Sequence, residues 1–271
     1  DIVAKLANEI PKHTLTRLLG IDPRNRESIS TLLLSVRTLL EPSTITPRKL
    51  NRLEDQFSVC VDVFEEAIQD KRRNPCDDMI SGLIAAEKNG ERLTNEEIVI
   101  SCALTYIAGH ETTKSLISSG MKLFLEHPEQ WALLSNNREL LNQAIEEIAR
   151  FEPPLHFTTR VATKDFNVDN ADIKAEDMVL LCIASANRDP QIFDQPDAFD
   201  ITREVKRNLA FGSGMHNCIG KILAVQELKV LFNELLDRNI PLHESLAFTS
   251  EWQDAGPTTR SLETLEMVWP I

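Results

Sequence analysis

Phe211-Gly212-Ser213-Gly214-Met215-His216-Asn217-Cys218-Ile219-Gly220 is the stretch that decides how this chain is read. Two glycines allow a tight backbone before the cysteine, and a third, Gly220, opens a helix-forming run over residues 220–239. A thiolate at a helix N-terminus is stabilised by the helix dipole and by free backbone N–H groups, so Cys218 reads as a soft metal ligand. The plainer alternative is a buried structural cysteine in a turn. Phe, three glycines and His grouped around one Cys weigh against it.

The segment resembles the haem-binding loop of cytochromes P450, in the soluble bacterial form with His two places before the Cys. That resemblance implies that Cys218 is the thiolate axial ligand of the iron of haem b, pushing electron density toward O–O cleavage. It places His216 on a haem propionate, and Phe211 and Gly212 beside the cysteine loop. Arg160, after Pro153-Pro154 and before the first strand, matches the family's propionate-binding arginine, and its fork of five donors suits a carboxylate.

Ala108-Gly109-His110-Glu111-Thr112-Thr113 resembles the family's oxygen-activating stretch. Gly109 costs about 1 kcal/mol against Ala inside a helix, which makes sense if a ligand approaches the backbone at Ala108 and Gly109. The acid–alcohol pair Glu111 and Thr112 is the implied catalytic proton relay to iron-bound dioxygen; a threonine bonding back to its own helix is the bland alternative. Glu147 and Arg150 stand three apart on one helix, close enough to pair. In the family this pair is buried and joined by a second arginine, which Arg203 matches, so all three are assigned a structural role. Substrate contacts are placed by segment: Thr105 and Ala108, residues 155–157, and residues 256–259.

The rest of the chain reads as mostly α with a small β portion. Residues 26–40 and 46–73 carry apolar positions three and four apart, the second run opened by Thr46-Pro47. Residues 77–87 form a shorter helix closed by Asn89-Gly90. Thr94-Asn95-Glu96-Glu97 is a capping box, and nothing stops the helix after it before His127-Pro128, about 30 residues or ~45 Å on. Its first half (Ile98, Val99, Ile100, Cys102, Ala103, Leu104, Ile107, Ala108) is apolar nearly all round and predicts burial on every side. Helices over 128–135 and 139–151 follow. Residues 158–166 and 178–184 are β-rich, with Asp169-Asn170 as a turn between them, and the last 30 residues read as short strands and turns. No repeat or linker divides the 271 residues, which read as one domain.

A net charge of −13 excludes a nucleic-acid binder that needs a basic stripe. Residues 201–240 alone carry +2, a local positive face. Five widely spaced cysteines without a C-x-x-C pair argue against a disulfide framework or structural zinc and for a reducing cytoplasm. No apolar run reaches membrane-spanning length, and no signal peptide opens the chain.

The resemblance therefore implies a P450-like fold and a haem-thiolate monooxygenase. It would take electrons from a ferredoxin or flavodoxin with its reductase, docked near Lys206, Arg207 and Lys221. It would insert one atom of O2 into a small lipophilic substrate. Residues 7–22 already resemble a mid-domain helix, so the N-terminal part of the family fold is missing and the chain, opening on Asp1, reads as processed or excised. A haem-free scaffold or partner-binding protein, or an inactive fragment, is the alternative. Retention of Cys218, Glu111, Thr112, His216, Glu147, Arg150 and Arg203 argues against decay.

Overall fold

The computed structural model describes residues 1–30, 46–88, 90–204, 207–242, 247–253 and 258–268. It divides into two compact units, Asp1–Ser115 and Leu116–Ile271, and the division falls inside one long helix.

In the first unit a π-helical stretch, Val3–Ala7, leads into α1 (Glu9–Leu19). Gly20 ends α1 in the left-handed conformation, at φ 79°. A 3-10 turn, Pro23–Asn25, leads into α2 (Arg26–Ser30); positions 31–40 of the helix expected there lie outside the described residues. Helix α3 (Pro47–Arg73) starts where the sequence places it, because the Thr46 hydroxyl accepts from the Lys49 amide at 3.3 Å ahead of a proline in the first turn. Helix α4 (Met79–Ala85) is capped by Asp78, which accepts from the Ser81 amide at 2.8 Å.

The run expected to stay helical to residue 87 instead turns extended at Ala86. It forms a small hairpin of β1 (Glu87–Lys88) and β2 (Glu91–Arg92), with Asn89 outside the described residues. The capping box then closes in both directions. The Glu97 amide donates to the Thr94 hydroxyl at 3.2 Å, and the Thr94 amide donates to the Glu97 carboxylate at 2.8 Å.

That box opens α5 (Asn95–Glu126), 32 residues long. Ile98, Val99, Cys102, Ala103, Tyr106 and His110 form its buried face in the first unit. Uniform burial of this half does not hold: Ile100 is 50% exposed, Leu104 63%, and Ala108 is exposed too. These three follow each other at four-residue spacing, so a single stripe stays uncovered while the opposite face is sealed.

The second unit holds the end of α5, α6 (Pro128–Asn136), a 3-10 turn at Arg138–Leu140, α7 (Leu141–Phe151) and α9 (Lys221–Asp237). Its core is aromatic. Phe124 meets Trp131, Phe232 and Phe199 edge-on at 5.1, 5.4 and 5.9 Å, and the Trp131 indole N–H donates to the Ile240 carbonyl at 3.1 Å. Gly120 lets α5 close on α7 and α9, since a Cβ there would meet Ile148 at 3.0 Å and Phe232 at 3.2 Å.

The β portion of this unit is three two-stranded antiparallel sheets among the described residues. β3 (Phe157–Val161) pairs with β6 (Met178–Cys182), and β7 (Ala247–Trp252) with β8 (Leu262–Val268). The Asp169-Asn170 turn does not join β3 to β6 directly. It joins two further strands, β4 (Phe166–Val168) and β5 (Ala171–Ile173), with Asp169 at φ 49°. A short helix, α8 (Ile183–Ala186), follows β6. No helix among the described residues is long and apolar enough to cross a membrane.

Candidate functional site

In the second unit the loop before α9 is built on its backbone. The Cys218 amide donates to the Phe211 carbonyl at 2.8 Å and closes the turn. Gly212 sits at φ 70°, and a Cβ there would lie 2.5 Å from the His216 carbonyl oxygen, so only glycine fits. A 3-10 turn over Gly214–His216 then delivers Cys218 three residues before the first residue of α9. Phe211 is half-buried under the Lys221 ammonium, 4.9 Å from its ring centre. His216 and Cys218 are both exposed, flanked by Met215 and Ile219, which are almost wholly so.

The stem of the loop is tied down by side chains. The Leu209 amide donates to Asn187 Oδ1 at 2.7 Å, and Asn208 Nδ2 donates to Glu146 at 3.1 Å. The Arg207 guanidinium donates to the Ser213 hydroxyl at 2.6 Å, and the Lys221 ammonium pairs with Glu146 at 2.7 Å. Lys206, the third expected docking residue, lies outside the described residues, as do positions 256 and 257 of the expected substrate segment.

Arg160 sits on β3 opposite Val179. Its Nη1 donates to Thr158 Oγ1 at 3.1 Å and to the Thr159 carbonyl at 2.7 Å, while Nε and Nη2 have no partner among the described residues. Just before it, Leu155 bridges Thr259, and the His156 amide donates to the Thr258 carbonyl at 2.9 Å. Burial first, and then the charges of Arg260 and Arg188, hold the His156 imidazole below its ordinary value.

Glu147, Arg150 and Arg203 meet in one cluster. Arg150 clasps the Glu147 carboxylate at 2.7 and 2.8 Å, and Arg203 Nε adds a contact at 3.2 Å. Arg150 also donates to the carbonyls of Asn187, Pro196 and Ala198. This ties the irregular segment after α8 onto α7.

The stretch expected to activate oxygen, residues 108–113, lies on α5 in the first unit. The Thr112 hydroxyl donates to the Ala108 carbonyl at 2.7 Å, the local bond that threonines in helices make. Glu111 is largely buried, with its carboxylate 3.3 and 3.4 Å from Lys114 Nζ. The close approach at Gly109 is made by Leu15 of α1, whose Cδ2 would lie 3.0 Å from a Cβ. Two residues that the spacing did not single out belong to this neighbourhood. Lys114 is 7% exposed, and His110 is fully buried with Nε2 3.0 Å from the Asn8 carbonyl, 102 positions away.

The donor set suits haem. One exposed thiol stands at a helix start with apolar Met215 and Ile219 beside it, while no group of three or more His, Cys, Asp or Glu side chains among the described residues could hold a metal ion.

The family model for cytochrome P450 matches residues 28–239. The biotin biosynthesis cytochrome P450 of Bacillus subtilis (strain 168) is 35% identical over 238 residues, covering 88% of this chain and 60% of the relative. The putative cytochrome P450 133B2 of Xylella fastidiosa (strain 9a5c) is 32% identical over 256 residues, covering 94% and 64%. Among solved structures, P450BioI in complex with hexadec-9Z-enoic acid ligated acyl carrier protein aligns at TM-score 0.89 with 33% identity. That alignment covers 99% of this chain and 68% of that one. CYP109E1 from Bacillus megaterium in complex with corticosterone aligns at TM-score 0.87 with 29% identity, over 97% and 70%. The chain thus spans 60–64% of the length of these curated relatives.

Proposed function

Because the chain belongs to the cytochrome P450 family, we propose that residues 1–271 are a single P450-like domain, the larger, C-terminal part of the family fold, and belong to a haem-thiolate monooxygenase. The observation that carries this reading is Cys218, exposed in a glycine-built turn directly ahead of the 17-residue helix α9. Bound haem b would supply the activation of O2 and the insertion of one of its oxygen atoms into a C–H or double bond.

The chain's own residues provide the setting. Cys218 would hold the iron through its sulfur, from the turn directly ahead of α9. His216 and the unpartnered donors of Arg160 would hold the propionates, with Phe211 and Gly212 shaping the loop; Ala108 and Gly109 are assigned to cofactor binding by the family resemblance alone. Glu111 and Thr112 move protons, the hydroxyl oxygen of Thr112 keeping lone pairs to accept while its hydrogen is held by Ala108. Glu147, Arg150 and Arg203 hold the fold around the loop and take no part in the chemistry.

The substrate is a small lipophilic molecule. Structural relatives were solved with a fatty acyl group on its carrier protein and with a steroid, which agrees in chemical class. Electrons come from a ferredoxin or flavodoxin with its reductase, docking near Arg207 and Lys221. A cytoplasmic location suits the free cysteines. The deciding experiment is the absorption spectrum of the complete protein, reduced and exposed to carbon monoxide. A red-shifted Soret band of the thiolate type, lost in Cys218→Ala, is the expected result. Absence of the band, or its survival in that variant, overturns the assignment.

A further inference from the structure

His110 is fully buried, yet half of its imidazole is unaccounted for. Nε2 lies 3.0 Å from the Asn8 carbonyl oxygen, which can only accept, so Nε2 carries a hydrogen. Nδ1 then has no hydrogen-bond partner among the described residues. The polar atom in front of it is Glu111 Oε1 at 3.7 Å, a few tenths of an ångström beyond hydrogen-bond reach.

Two acceptors aimed at each other inside a protein repel unless a hydrogen lies between them. No described group hydrogen-bonds Nδ1 itself. Lys114, also buried, donates to both oxygens of the same carboxylate, Oε1 at 3.4 Å and Oε2 at 3.3 Å, and does not reach Nδ1. Tyr106 stacks against the imidazole face at 6.4 Å with its hydroxyl turned to Ser30, and the Asn8 side chain is turned to Glu9.

We propose that His110 Nδ1 and Glu111 Oε1 share one proton, so that His110 acts as a buried proton store filled and emptied through Glu111. In the transfer, the Nδ1–H bond of an imidazolium breaks and an O–H bond forms on the carboxylate. This leaves neutral His110 and a protonated Glu111 ready to hand the proton on. Glu111 is 17% exposed and His110 is wholly covered, so the carboxyl is the store's connection to water. The sharing is a matter of local geometry; the supply of protons to chemistry rests on the relay role proposed above. His110 is thus a positioning residue.

Histidine nitrogen-15 spectra of the complete protein, in the reduced, carbon-monoxide-bound diamagnetic state, test the sharing. His110→Gln keeps an amide N–H near Asn8 while removing Nδ1, and it identifies the His110 signal by its loss. The expected result is a proton-bearing or strongly hydrogen-bonded Nδ1 that reverts to a bare acceptor in Glu111→Ala. A bare acceptor in the unaltered protein throughout neutral pH overturns the proposal, as does a signal indifferent to Glu111→Ala. Both readings survive failure of turnover.

The store itself is tested by the ratio of peroxide to product against pH. His110→Gln is expected to shift that profile with KM unchanged, and His110→Asn, which retains a polar atom near Nδ1, to shift it less. An unchanged profile in His110→Gln overturns the store even where the nitrogen signal moves.

Discussion

Arg203 reaches across 56 positions of chain to place its Nε 3.2 Å from Glu147 Oε1, the same oxygen that accepts from Arg150 and from the Asp200 amide. With Arg150 Nε on the other oxygen, the carboxylate receives four donors. Its side chain is 3% exposed, that of Arg150 2% and that of Arg203 14%. A buried charge this well satisfied is tolerated; one stripped of its partners is not.

Removing Glu147 leaves two guanidinium groups facing each other in the interior. Glu147→Ala is expected to destabilise by about 3–5 kcal/mol, and Arg203→Ala by clearly less because Arg203 reaches solvent. Urea unfolding midpoints check this, and equal losses in the two variants would contradict the partition.

Asp78 predicts an acid-sensitive first unit. Burial pushes its carboxyl up, but the Lys71 ammonium and the Ser81 amide outweigh burial and hold it below the ordinary 3.8. Because the folded value is depressed, its stabilisation is complete above pH 3.8 and is lost as pH falls through the folded value. Asp78→Asn is expected to lower the melting temperature at neutral pH and to narrow the gap from the unaltered protein below that value. A constant difference at all pH values counts against the ion pair.

Thiol chemistry separates the cysteines. Cys60 and Cys102 are fully buried, and burial, helped by the nearby Asp78 charge, pushes the Cys102 thiol up to about 12. Cys76, Cys182 and Cys218 are exposed. Native alkylation of haem-free protein is expected to modify these three and spare Cys60 and Cys102, while haem protects Cys218 alone. Protection of Cys182 instead would point to a different haem site.

Gly212 cannot take a side chain without displacing the His216 carbonyl. Gly212→Ala is expected to cost on the order of 1–3 kcal/mol through backbone strain and to lower haem retention in gel filtration. Normal retention would show that the loop adjusts elsewhere.

Thr112→Ala should release peroxide in place of product while substrate still binds. Unchanged coupling would remove Thr112 from proton transfer and leave it only its bond to Ala108.

What the sequence discloses here is what is local. The capping box at Thr94 and Glu97, the start of α3 at Thr46-Pro47 and the turn ahead of α9 all use partners within a few residues. The Glu147–Arg150 pair is equally local, whereas Arg203 enters through the family resemblance because spacing cannot relate two residues so far apart. Non-local geometry accounts for the rest. Leu15 against Gly109 and Asn8 against His110 join α5 to the start of the chain, and no pattern within α5 announces either. The β4–β5 hairpin was missed because its strands are three residues each and wholly or largely exposed, too short for alternation to show. The bare stripe of Ile100, Leu104 and Ala108 was invisible because composition reports apolarity and says nothing of which neighbours arrive to cover it.

The Glu147 cluster also has a consequence in time. Its inner half forms as soon as α7 does, since Arg150 is one turn away. Its outer half waits until a loop of more than fifty residues has closed and set Asp200 and Arg203 against the same carboxylate. Contacts of that kind form late and break early. Arg203 therefore acts mainly as a latch on the rate of unfolding, slowing the escape of the irregular segment it fastens while leaving the speed of helix formation untouched.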